Sequence, residues 1–93
     1  MEVQLREYRI QGGQMDAWIA GWTTGVVPLR REFGFQVIGA WVDRQNDRFV
    51  WLLGYSGADG FDAADKRYYA SPKRAALRPG ALRADRRGPK GDG

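Results

Sequence analysis

The chain contains no cysteine and no histidine. Without thiols there is no disulfide framework, no thiolate metal site and no Cys nucleophile. Without imidazole, the Ser-His and Cys-His pairs, His-ligated metals and a proximal-His haem are excluded too. No run approaches the ~18 consecutive apolar residues of a membrane span, and Met1 to Arg6 holds neither a basic leader nor an apolar segment of signal length. A phosphate-cradling loop is also missing, because Gly12-Gly13 lacks the spacing and the following Lys. The expectation is a soluble, cytoplasmic protein without metal or organic cofactor, whose chemistry falls to carboxylates, Arg, Lys, Tyr and Trp.

At 93 residues the chain is one domain, of a size that buries only roughly 60 to 65% of its unfolded surface and gains from a partner. Its net charge of +4 is unevenly placed. Residues 1–72 carry eight Lys/Arg and nine Asp/Glu, a net of −1, and residues 73–93 carry seven and two, a net of +5. A nucleic-acid module keeps its basic stripe on the fold, interleaved with stacking aromatics. Here the aromatics and the basic excess lie in different parts of the chain, so nucleic acid is not an expected partner.

Alternation from Glu2 to Ile10 sets Val3 and Leu5 on one face of a strand and Tyr8 and Ile10 on the other. Gln11-Gly12-Gly13 ends it. From Gln14 the period becomes helical, with Met15, Trp18, Ile19 and Trp22 at i, i+3, i+4 and i+7 and Asp16 near the positive end. The stripe runs on through Val26, Leu29 and Phe33, but Gly25 and Pro28 predict a kink or break, and Gly34 closes the helix. Phe35 to Val42 reads as a second strand, with Phe35, Val37, Gly39 and Trp41 on one face and Ile38, Ala40 and Val42 on the other. Asp43 to Asp47 makes a polar hairpin. Arg48 to Tyr55 returns with Phe49, Trp51, Leu53 and Tyr55 opposite Val50, Leu52 and Gly54. Ser56 to Asp59 supplies cap residues for a second helix, in which Phe61, Ala64, Asp65 and Tyr68 share a face and which ends before Pro72.

The order β-α-β-β-α gives five of the six elements of a ferredoxin-like βαββαβ unit, an α+β fold with an antiparallel sheet. Two helices cover only one face of that sheet. The other face, apolar on strands two and three, calls for a partner packed sheet to sheet.

At Leu5-Arg6-Glu7-Tyr8, Met15-Asp16 with Trp18, Pro28-Leu29-Arg30-Arg31-Glu32-Phe33-Gly34-Phe35, Gly39-Ala40-Trp41 and Tyr69-Ala70-Ser71-Pro72 the chain resembles the NIPSNAP family, within the dimeric α+β barrel group. The resemblance covers about residues 2–77. It implies a homodimer whose two sheets close into a barrel with the helices outside and, in some related barrels, a ligand pocket between sheet and helices. Relatives finish on a fourth strand, whereas this chain holds no Val, Ile or Thr after Val50 and no aromatic from Lys73 onward. The fourth strand therefore reads as missing or degenerate. The expected organisation is a barrel domain over 1–77 followed by a basic, Gly/Pro-rich disordered tail over 78–93, with the outer edge of the first strand left unpaired.

Glu7 is the candidate catalytic residue, a carboxylate placed mid-strand with Arg6, Arg30 or Arg31 as candidate ion-pair partners. A purely structural ion pair is the competing reading. Trp18, Trp22, Trp41 and Trp51 could wall a pocket for a small, flat, apolar or aromatic ligand, with Tyr68 donating a hydrogen bond, although aromatics at helical spacing also serve simply as core. Two functions follow: a small homodimeric ligand-binding or scaffold protein, or a cofactor-independent enzyme (monooxygenase- or isomerase-like) acting on a flat aromatic or polyketide-like substrate, with Glu7 as acid/base.

Overall fold

The structure, a computed structural model, describes residues 1–77 and the backbone of 84–85. Three antiparallel strands, β1 (Glu2–Ile10), β2 (Gln36–Asp43) and β3 (Arg48–Tyr55), lie in the order β2-β3-β1. Between β1 and β2 run α1 (Met15–Gly21) and α2 (Val27–Glu32); after β3 come α3 (Phe61–Ala70) and the short α4 (Pro72–Ala75). The residues over which a disordered tail was expected lie outside the described ones, apart from Ala84–Asp85. These form β4, a two-residue strand pairing with Arg9 and Ile10 on the outer edge of β1. Among the described residues, β4 covers only the last two residues of that β1 edge.

Period-two alternation decides the two faces of the sheet. On β1, Arg6, Tyr8 and Ile10 are buried beneath the helices, and on β3 Phe49, Trp51, Leu53 and Tyr55 join them. Trp18 from α1 and Leu29 from α2 close this core from above, with Phe61, Ala64 and Tyr68 from α3. Ring stacking is mostly edge to face: Trp18 on Phe49 (5.7 Å between centroids), Trp22 on Trp51 (5.3 Å) and Phe35 on Phe61 (5.4 Å), the arrangement that aromatic quadrupoles favour.

The first helical stretch is not broken at Gly25 and Pro28. Trp22–Val26 forms a π-helical turn joining α1 to α2, in which the Val27 amide donates to the Trp22 carbonyl. One extra residue per turn lets the chain reach Pro28 in the first turn of α2, where a missing N–H costs little. Gly34 then ends the stretch at φ +89°, a conformation that only glycine adopts without strain.

Strand β2 departs from simple alternation. Its pairing with β3 runs Gln36↔Gly54 and Val37↔Leu53, then slips to Gly39↔Leu52, Ala40↔Trp51 and Trp41↔Val50. The bulge at Ile38 puts two successive residues on the same side, so Val37, Ala40 and Val42 face the helices with Leu53, Trp51 and Phe49. Ile38, Gly39 and Trp41 face away with Leu52 and Val50. The expected grouping of Trp41 with Phe35 and Val37 is thereby corrected. The helix caps differ as well: the N-cap of α3 is Gly60, which supplies no side-chain cap, and Asp59 accepts hydrogen bonds from Tyr55 and Arg67 instead. Ser71 caps α4, its Oγ accepting from the Arg74 amide at 3.1 Å.

Candidate functional site

Consecutive residues of β1 feed two different environments. Arg6 points under the helices, fully buried, and donates through Nη2 to Asp65 Oδ2 on α3 at 3.2 Å and to Gln4 Oε1 at 3.1 Å. Arg30, fully buried on α2, donates through Nη1 to the other Asp65 oxygen at 2.7 Å. The Tyr69 hydroxyl accepts from both guanidiniums at 3.4 Å. Arg30 also lies 3.7 Å from the centroid of the Tyr68 ring, a cation–π contact made strong by exclusion of water. Burial works against the charge on Arg6, but Asp65, together with Tyr69 and Tyr8, outweighs it and raises the Arg6 pKa. Burial pushes the Tyr68 hydroxyl up to about 12, against the nearby Arg30 and Arg74, and raises Tyr8 and Tyr69 as well. These groups hold fixed protonation states near neutrality, which suits a structural clamp joining β1, α2 and α3 better than acid/base work.

Arg6 and Arg30 therefore pair with Asp65, not with Glu7, because strand alternation turns Glu7 to the opposite face. There Glu7 Oε2 accepts from Arg48 Nη1 at 2.7 Å across the β1–β3 ladder, with side chains 35% and 47% exposed. The expected ligand wall also divides. Trp18, Trp51 and Tyr68 are fully buried and Trp22 half-buried in ring contacts of the core. Trp41 stands across the sheet from them, 55% exposed, its indole over Gly39, where an added Cβ would meet the ring at 3.0 Å.

The face away from the helices is graded. At one end Val3, Leu5 and Ile38 are exposed beside Trp41, with Met1 and Ile38 reaching over Gly54. At the other end lie Glu7, Arg9, Asp43 and Arg48, with Asn46 from the hairpin. Glu7, Arg9, Asn46 and Arg48 line an open cleft of about 340 Å³. Asp65 was visible in the sequence as the one carboxylate on the apolar stripe of the second helix. Arg9 and Asn46 carried no such signal, since only the pairing of β1 with β3 brings them together. Among the described residues no group of three or more His, Cys, Asp and Glu could hold a metal ion.

The model of the NIPSNAP family matches residues 3–83. The chain belongs to the NIPSNAP family. Its fold is shared with solved NIPSNAP proteins. One is an uncharacterised NIPSNAP domain protein from Burkholderia xenovorans (TM-score 0.75, 20% identity, 90% of this chain and 83% of that one). Another is a protein of Agrobacterium tumefaciens (0.76, 16%, 89% and 81%), itself of unknown function. A second NIPSNAP protein of that organism also matches (0.71, 20%, 85% and 71%). At these identities the likeness establishes the fold alone. No curated protein matches the chain. Among the described residues, no helix of this NIPSNAP chain is long and apolar enough to cross a membrane.

Proposed function

We propose that the protein works as a homodimeric binding or scaffold module, assembled through the sheet face turned away from the helices. The observation that carries this reading is the composition of that face. Val3 (46% exposed) and Leu5 (55%) on β1 and Ile38 (47%) and Trp41 (55%) on β2 lie open on either side of Leu52 and Val50 of β3, a patch of the kind that soluble monomers seldom leave uncovered. A two-fold contact sets a surface against itself and so requires self-complementarity. The charged end of the face meets that requirement, since it offers both signs in Glu7, Asp43, Arg9 and Arg48.

In this reading the buried tryptophans are core and Trp41 is an interface anchor, of the residue type most enriched at interface centres. Glu7 serves as an ion-pair partner of Arg48.

Light scattering across a size-exclusion peak tests the assembly. A dimer burying on the order of 1,200–2,000 Å² in total is expected, and Trp41→Lys should give a folded monomer with an unchanged far-ultraviolet spectrum. A wild-type monomer at micromolar concentration would overturn the reading.

A further inference from the structure

Gly39 and Trp41 stand two residues apart on the outward face of β2, and the indole is laid down along the strand between them. The atom nearest to an ideal Cβ at position 39 is Trp41 Cη2, at 3.0 Å, followed by Cζ2 at 3.4 Å and Cζ3 at 3.6 Å. These atoms form the end of the ring farthest from the backbone of residue 41. The side chain therefore reaches back over residue 39 and fills the space that a side chain there would take. Ile38 repeats the arrangement across the ladder, its terminal Cδ1 lying 3.2 Å from the Cβ position of Gly54 on β3, beside Met1. The Trp41 ring nevertheless stays 55% exposed, so the seat on Gly39 lowers it without burying it.

The backbone does not call for glycine at this position. A glycine inside a strand costs conformational entropy and contributes no packing of its own. One type of bulge needs glycine at positive φ, but among the described residues the positive-φ glycines are Gly13, Gly34 and Gly60. Gly39 thus has a conformation open to any residue, and what its missing side chain makes room for is the indole. We propose, resting on the reading of this face as the contact between two copies of the chain, that Gly39 is a specificity-determining residue of that contact, seating Trp41 so that the second copy meets the broad side of the ring. Packed sheets lie about 10 Å apart with their side chains interdigitated, and an indole standing upright on each sheet would hold the pair apart. Laid down, each indole offers apolar area at low height, the form in which tryptophan anchors an interface. The second copy is the occupant that the rest of the face fits. Its charged end carries both signs, with Glu7 and Asp43 beside Arg48, which a two-fold contact can match and a partner of one sign would meet with like charge.

Analytical ultracentrifugation of the full chain tests this, with Gly12→Ala as the control, since an added Cβ at Gly12 meets nothing within 4 Å. Gly39→Ala should keep the wild-type circular dichroism, because the exposed ring can swing into solvent, and should raise the dimer Kd about tenfold, each two-fold contact holding the seat twice. Gly12→Ala should leave the Kd within about twofold. Nuclear magnetic resonance reads the seat itself: the Gly39 α-protons should carry ring-current shifts that vanish in Trp41→Val, whose side chain is too short to reach position 39. In that Trp41→Val background Gly39→Ala should raise the Kd no further, there being no ring to lift. A Gly39→Ala dimer as tight as wild type, the same weakening in both backgrounds, or Gly39 α-protons without ring-current shifts in the wild type would each overturn the role of Gly39 and leave the dimer standing. A wild-type monomer would remove both.

Discussion

Arg6 and Asp65 stand 59 residues apart in the chain and 3.2 Å apart in space, both sealed from solvent. With Arg30 on the other carboxylate oxygen, this cluster ties the first strand to both helical segments. Replacing a buried ion pair by well-packed apolar groups is often harmless, but removing one partner strands the other. Asp65→Ala withdraws the carboxylate that two buried guanidiniums share and should cost about 3–5 kcal/mol, a large part of the ~5–15 kcal/mol that holds a typical domain. Urea denaturation followed by circular dichroism measures it. A loss under about 1 kcal/mol would show that the cluster contributes little.

Tyr68 predicts an alkaline limit. Its hydroxyl titrates near 12 in the folded protein and near 10 when exposed, so between those values the native state holds a proton that the unfolded chain has released. Stability from this group is complete below pH 10 and falls as pH rises through 12, by about 3 kcal/mol. The hydroxyl is buried with no hydrogen-bond partner among the described residues. Tyr68→Phe should therefore be neutral or slightly stabilising at pH 7 and should reduce the alkaline loss, as thermal melts at several pH values would show. A marked loss at pH 7 would reveal a role for the hydroxyl.

Two glycines make a matched pair. Gly34 sits at φ +89°, and Gly34→Ala should destabilise by about 1–2 kcal/mol through backbone strain. An added Cβ at Gly12 meets nothing within 4 Å, so Gly12→Ala should stay within about 0.5 kcal/mol of the parent. Equal losses in chemical denaturation would contradict the assignment of Gly34 as the stop of α2.

The tryptophans should separate by side of the sheet. Trp51→Ala empties a fully buried position and should cost about 3–5 kcal/mol. Trp41→Ala should leave the subunit fold intact and weaken self-association. Concentration-dependent thermal melts distinguish these outcomes, because only loss at an interface changes with protein concentration.

Much of this fold was legible wherever the pattern was local. The bounds of β3 and the alternation of Phe49, Trp51, Leu53 and Tyr55 follow from period two between a polar hairpin and a glycine-rich turn. The helical stripe of Met15, Trp18 and Trp22 follows from period 3.6, but the π turn is set by how the helix settles on the sheet around Pro28. The face of Trp41 was misread because a bulge shifts the period by one, although Gly39 inside a strand pattern is the usual sign of one. The assignment of Glu7 to Arg6 or Arg30 failed for a different reason. Ion pairs between distant elements depend on register, and nothing in a single sequence states that β1 lies next to β3 with Glu7 opposite Val50.

The bulge at Ile38 makes β2 two half-strands of opposite parity, and so works as a hidden reading-frame mark within the fold. Deleting one residue between Val37 and Ala40 would alter no charge and shorten a single strand by about 3.3 Å. It would also exchange inside for outside along half of β2, either carrying Trp41 toward the helices or pulling Val37 out of them. A length change of one residue here is a change of surface identity, whereas the same change in the hairpin at Arg44 to Asn46 alters only a loop.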